Sequence, residues 1–326
     1  MNLDNHLSTS LPIIDISDLS DLNSKYLVQK ASKHGFLLLK NHLLDKEEID
    51  KLFDISKEFF SQPDEIKNEF PITKNNDGYV APFVENLQQD GIGEGDNKEA
   101  FNITNFNLST FTPIQQLPEI FKNNMPFISF CLRKYYVTLH ILCRMLAIGL
   151  EINDKYGNPN PDFFVRAHAL DLSTKSTLRF LQYNKPDEEF LDKNLAGAHT
   201  DYGSMTFVLQ RPHKGLQIFN GKDWIDVIVP EQKDGEELLI VNIGDVLNFW
   251  TDGYLKSTLH RVRTTVDRSA IVFFCHPADQ SLLEPVNSEK VKNHKGHTYY
   301  LGKNGNALTA LEHFMLRLKK GYSYNN

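Results

Sequence analysis

After Thr174 the chain settles into short apolar or alternating runs separated by turn residues, and this texture restricts its fold more than any other feature. The runs are Leu178–Tyr183, Met205–Gln210, Leu216–Phe219, Trp224–Val229, Leu238–Val241, Val246–Trp250 and Ala270–Cys275. Gly221-Lys222, Gly244-Asp245 and Asp252-Gly253 between them read as hairpin-type turns. About seven strands at this spacing predict an antiparallel sandwich or jelly roll.

The first 150 residues read differently. Pro12 to Ile16 has strand character, and a helix is expected from about Asp18 to Lys33. The apolar run Gly35 to Leu39 has strand length. Asp45-Lys46-Glu47-Glu48 opens a second helix with acidic residues where they complement the macrodipole. Its apolar stripe is Ile49, Leu52, Phe53 and Phe60, with the small Ser56 on the same face. Helical spacing returns from about Pro113 to Leu150, and again from about Ala307 to Lys320 through Leu308, Leu311, Phe314, Met315 and Leu318. The segment Asn75 to Asn97 is polar and rich in glycine and asparagine. It reads either as a surface loop or as a loop folding over a bound substrate. The expected fold class is mixed α and β, with a jelly-roll core wrapped by helices. The expected organisation is one catalytic domain over 1–326, with a mixed region at 1–150 and the jelly roll at 175–280.

Composition narrows the partners. A net charge of −7 without a run of Lys or Arg argues against nucleic acid and against an anionic membrane surface. The most apolar stretch, about Val137 to Leu150, is broken by His140 and Arg144, and the polar opening Met1-Asn2-Leu3-Asp4 is not expected to act as a secretory signal. Three cysteines (Cys131, Cys143, Cys275) are an odd number without CxxC spacing, which predicts free thiols and a cytoplasmic setting. A small-molecule substrate and a monomer are the expected partner and state.

His199-Thr200-Asp201 is the first motif with chemistry. In a strand, residues i and i+2 leave the same face, so this pair can grip one ion from one side. His-x-Asp alone is a weak signal. His260, in Ser257-Thr258-Leu259-His260-Arg261-Val262, strengthens it, because antiparallel strands can set that imidazole beside the first two groups. Two His and one carboxylate on one face of an octahedral iron leave three positions open, enough for a chelating keto acid and O₂. The histidines His34, His42, His140, His168 and His276 are read as packing or hydrogen-bonding residues. Arg268 precedes the apolar run Ala270 to Phe274, and an arginine entering a buried strand needs a partner. That partner is either a nearby carboxylate or the distal carboxylate of a cosubstrate, received by the guanidinium fork.

These residues bring the chain close to a known group. It resembles the isopenicillin N synthase-like branch of 2-oxoglutarate/Fe(II)-dependent dioxygenases, nearly end to end. The resemblance is carried by Leu11 to Ile16, His34 to His42, Asp77-Gly78-Tyr79 and Lys98-Glu99-Ala100-Phe101. It continues through Gly197 to Gly203, Gly215-Leu216-Gln217-Ile218, Asn242-Ile243-Gly244-Asp245 and His260-Arg261-Val262. It implies a distorted double-stranded β-helix, with Fe(II) held by His199, Asp201 and His260, and 2-oxoglutarate and O₂ as cosubstrates. Arg268 would then bind 2-oxoglutarate, and Tyr183 matches a family tyrosine that points into the site. The family's Arg-x-Ser reads Arg268-Ser269-Ala270 here, and Ser269 is expected to face the wrong way.

The function that follows is oxidation of a small organic molecule, hydroxylation being the commonest outcome of such enzymes, with release of succinate and CO₂. Three other readings stay open on the residues: an iron oxidase of the same fold that does not use 2-oxoglutarate, a zinc hydrolase, and a non-catalytic β-sandwich binding protein.

Overall fold

The structure is a computed structural model, and it describes residues 8–87, 95–104, 106–107, 109–185, 194–232, 235–294 and 305–321. Two sheets face each other. The larger has eight strands in the spatial order Ile13–Asp15, Phe36–Lys40, Leu239–Ile243, Met205–Arg211, Arg268–Cys275, Thr177–Tyr183, Glu99–Ile103, Gly78–Val80. The smaller runs Ser8–Ser10, Trp224–Ile228, Leu216–Phe219, His260–Val262, Ala196–His199. Its pairings are antiparallel apart from that of Ser8–Ser10.

The alternation along the large sheet decides what each face does. Ile271, Phe273 and Cys275 point toward the helices and join one core with Leu178, Phe180, Phe207, Leu37 and Leu39. Ala270 and Val272 point the other way, between the sheets, with Leu181, Tyr183, Ala196 and Val262. A second inter-sheet cluster contains Phe36, Leu38, Ile240, Leu216 and Ile218. The ligand cavity described below lies between these two clusters.

Three helices cover the outer face. Asp21–His34 ends at Gly35, whose φ of 67° closes the helix. Lys46–Phe60 starts in a full capping box between Asp45 and Glu48, the pattern its acidic opening suggests. Glu119–Gly149 is the long one, and it keeps Pro126 within its first two to three turns. A last helix, Ala310–Gly321, sends Phe314 and Leu318 into the inter-sheet cluster.

Several expectations need correction. Val246–Trp250 is not a strand: Asp245–Trp250 is a short helix with Gly244 at its N-cap position. Gly244-Asp245 is therefore a helix start, and the positive φ of Asp252 and Gly253 forms the turn that follows the helix. Gly221-Lys222 does join two antiparallel strands. The strands Gly78–Val80 and Glu99–Ile103 extend the large sheet from within a stretch read as loop and motif. Of the Asn75–Asn97 segment, residues 88–94 lie outside the described residues.

Candidate active site

His199 closes the strand Ala196–His199, and His260 opens His260–Val262. The two are direct register partners in an antiparallel pair, with ring centroids 4.3 Å apart. Asp201 lies two residues past the strand end, so its placement comes from the turn after His199 and not from continued strand alternation. Its backbone carbonyl accepts from the amide of Asp245, which anchors this turn on the start of the short helix.

Each group has its free electrons turned inward. His199 Nδ1 sits 2.7 Å from the carbonyl of Gly197, and His260 Nδ1 sits 3.0 Å from that of Thr258. A carbonyl only accepts, so both Nδ1 atoms carry the proton and both Nε2 atoms offer lone pairs. Each Nε2 is 3.7 Å from Asp201 Oδ1. The other carboxylate oxygen, Oδ2, accepts from Asn242 at 2.7 Å. The three ligand atoms lie within 4.8 Å of one another, and no other such cluster of His, Cys, Asp and Glu occurs among the described residues. Burial pushes the His199 imidazole down to about 4, helped by His260, so it stays neutral. Burial works to raise the Asp201 pKa, but His260, His199 and the Asn242 hydrogen bond hold it below the ordinary carboxylate value. A neutral His199 imidazole, a second imidazole turned toward the same carboxylate and that ionised carboxylate are the donor set that a divalent iron accepts.

Arg268 is 3% exposed, and Nη2 donates to Gln210 Oε1 at 2.6 Å. Among the described residues its Nε and Nη1 have no hydrogen-bond partner and no carboxylate pairs with it. Of the two partners the sequence offers, a protein carboxylate is therefore not found among the described residues. The guanidinium lies 4.9 Å over the ring of Tyr183, its cross-strand neighbour. Burial lowers its pKa, opposed by Tyr183. Gly215 adjoins it: with φ of 99°, a Cβ there would stand 3.2 Å from Arg268 Cδ. Ser269 faces the opposite side and bonds Gln182, while Ala270 lines the same cavity as Arg268. The cavity runs from Arg268 and Tyr183 past Ala270 to His199, Asp201 and His260. A second lobe opens from His199 and Asp201 toward Arg179, His276, Phe274 and Phe314.

Sequence reasoning passed over the charges between the lobes. Arg179 grips Glu85 through both terminal nitrogens, at 3.0 and 2.7 Å. Lys98, fully enclosed, bridges Glu85 at 3.0 Å and Asp96. Asp96 also accepts the amide of Gly197, two residues before His199. Arg179 and Lys98 thus pair with Glu85 and Asp96 in the site wall and tie the 85–87 segment to the strand that ends at His199. Lys98 opens the motif Lys98-Glu99-Ala100-Phe101, but only the fold shows which carboxylates meet it. Asn242 and Gln210 were likewise silent, since each acts through a partner far off in sequence.

With this geometry in place, the comparisons are specific. Residues 11–124 match the family described as non-haem dioxygenase in morphine synthesis N-terminal, and residues 175–277 match the 2OG-Fe(II) oxygenase superfamily. A UPF0676 protein of Schizosaccharomyces pombe is 33% identical over 98% of this chain and 94% of its own. The 2-oxoglutarate-dependent dioxygenase gloE of Glarea lozoyensis is 28% identical over 89% of this chain and 86% of its own. In structure, a full-length Neurospora crassa protein in complex with alpha-KG and 5-formyluracil matches with a TM-score of 0.75. It is 23% identical, over 98% of this chain and 97% of that one. The fold and site define a non-haem iron oxygenase. The chain belongs to the 2-oxoglutarate/Fe(II) oxygenase superfamily and is a 2-oxoglutarate-dependent dioxygenase.

Proposed function

We propose that His199, Asp201 and His260 hold Fe(II), that Arg268 and Tyr183 receive 2-oxoglutarate, and that the enzyme hydroxylates a small uncharged molecule in the second lobe. The observation that carries this is the buried guanidinium of Arg268, which meets no carboxylate among the described residues, in the same cavity as two inward-facing imidazole nitrogens. A stranded buried cation is costly unless an anion arrives to meet it. Bound there, Fe(II) and 2-oxoglutarate supply the oxidation: O₂ is consumed, the keto acid becomes succinate and CO₂, and the substrate gains one oxygen atom as a hydroxyl.

The chain's own work is placement. The carbonyls of Gly197 and Thr258 fix both imidazole tautomers, Asn242 sets the carboxylate rotamer, and Gln210 with Tyr183 aims the guanidinium fork. Apolar walls at Leu181, Ala270 and Val272 exclude water from that lobe. In the second lobe the Arg179–Glu85 pair is internally neutral, which disfavours a substrate bearing net charge. Neutral His276 offers that substrate one donor and one acceptor; burial pushes its pKa down to about 3.

The whole chain is proposed to act as one catalytic unit, supported by a large sheet that takes strands from both 13–103 and 177–275. We place it in the cytoplasm as a monomer, since the three cysteines are free and every named site residue lies on one chain. No helix among the described residues is long and apolar enough to cross a membrane. The test is Fe(II)-dependent conversion of 2-oxoglutarate to succinate by the wild type and by Asp201→Ala. Loss in a folded variant is expected; undiminished turnover would remove Asp201 from the site.

A further inference from the structure

The C-terminal helix Ala310–Gly321 does more than cover the second lobe. Its Arg317 reaches past the wall residues Phe314 and Leu318 to the turn between two of the assigned ligands. Nη2 donates to the carbonyl of Thr200 at 3.0 Å and to its hydroxyl at 3.2 Å. Nη1 donates to Asp245 Oδ2 at 2.5 Å, and the guanidinium lies 4.6 Å over the ring of Tyr202. Thr200 stands between His199 and Asp201, and Tyr202 follows Asp201, so one side chain holds the turn from both flanks.

Asp245 extends the grip. This buried carboxylate accepts the Ser257 hydroxyl at 2.7 Å, three residues before His260, while its backbone amide donates to the Asp201 carbonyl at 2.9 Å. The segments carrying all three assigned ligands therefore meet at the Arg317–Asp245 pair. Neither residue touches the cavity centre, so their effect passes through the backbone that places the ligands.

We infer that Arg317 is a positioning residue: by clamping Thr200 and Asp245 its fork fixes the ligand turn and so sets metal affinity. This rests on the assignment of His199, Asp201 and His260 as ligands. A fork is required, because two acceptors in different directions are met at once, and an ammonium can serve them only as a point charge.

The test is a titration of the metal-free full-length chain with Co(II) alone, followed by its visible absorption, for wild type, R317M, R317K, F314A and H199A. Residues that orient ligands from outside the coordination sphere typically change affinity by about 10–100-fold. R317M should weaken Co(II) by at least about tenfold, with an altered band shape, and R317K should recover part of that loss. F314A removes a wall residue from the same helix without touching the turn. It should lower the melting temperature and leave Co(II) affinity unchanged. Wild-type affinity in R317M, or an equal loss in F314A, overturns the inference. Should R317M not fold, R317K decides alone: wild-type affinity and spectrum in that variant overturn the clamp. If H199A titrates like the wild type, the ligand assignment itself fails; if H199A loses the site and the Arg317 variants keep it, only the clamp fails.

Discussion

The side-chain amide of Asn242 donates to Asp201 Oδ2 at 2.7 Å, which leaves Oδ1 as the oxygen facing both imidazole Nε2 atoms. The bond comes from a strand of the large sheet, so one sheet orients a carboxylate that stands just past the edge strand of the other. A carboxylate on a turn has rotamer freedom of its own, and this contact removes it.

Replacing Asn242 by leucine should therefore weaken metal binding by about 10–100-fold while the fold persists. The Fe(II) concentration needed for half-maximal succinate formation reads this directly. An unchanged requirement would mean that the turn alone fixes Asp201.

Arg268 supplies a graded pair of outcomes. Arg268→Gln strands the incoming carboxylate, a loss of about 2–5 kcal/mol, so the KM for 2-oxoglutarate should rise at least about thirtyfold. Ala270→Ser should act in the opposite sense. Ala270 lines the cavity beside Arg268, and a hydroxyl there adds a neutral hydrogen bond worth about 0.5–1.5 kcal/mol. The KM should fall about twofold to tenfold. A rise in KM in the serine variant would show that this space is needed empty.

Gly215 leads to the same reaction parameter by a different route. Its φ of 99° is strained for any side chain, and an added methyl would press on Arg268 Cδ. Gly215→Ala should cost about 1 kcal/mol or more of stability, and the KM for 2-oxoglutarate should rise with it. Melting temperature and KM measured on one preparation check both effects.

The buried histidines predict how the metal-free protein responds to acid. Burial pushes His168 and His199 down to about 4 and His276 to about 3, against an ordinary value of 6.5. Between about pH 6.5 and 4 the unfolded chain thus binds protons that the folded chain refuses, so stability falls as pH falls through that window. Three such groups set a ceiling near 4 kcal/mol per pH unit, to be discounted for relaxation of the folded state. The lowered Asp201 contributes in a separate window, losing its share only below about 3.8. Thermal unfolding at pH 7.5 and 5 should show a marked drop, shallower in His168→Gln. A flat profile would contradict neutral burial of these rings.

Much of this was readable before the fold was known, for definite reasons. Strand runs such as Leu216–Phe219 declare themselves through local alternation and turns, and His199, Asp201 and His260 through residue type and order. Val246–Trp250 misled because a short apolar run does not reveal its period; Gly244 starts a helix there whose first amides meet the carbonyls of Asp201 and Gly203. The His199–Asp201 pair was expected on one strand face, and the strand in fact ends at His199. The roles of Arg317, Asn242 and the Lys98 cluster are not legible in the sequence, because they depend on partners brought near only by folding.

The most direct test is anaerobic titration of the metal-free protein with Fe(II) and 2-oxoglutarate, watching for the visible charge-transfer band of a chelated keto acid. The band should appear, saturate near one equivalent of iron, and be lost in Asp201→Ala and His260→Ala. A wild-type protein without the band, or an undiminished band in either variant, would contradict the assigned iron and 2-oxoglutarate site.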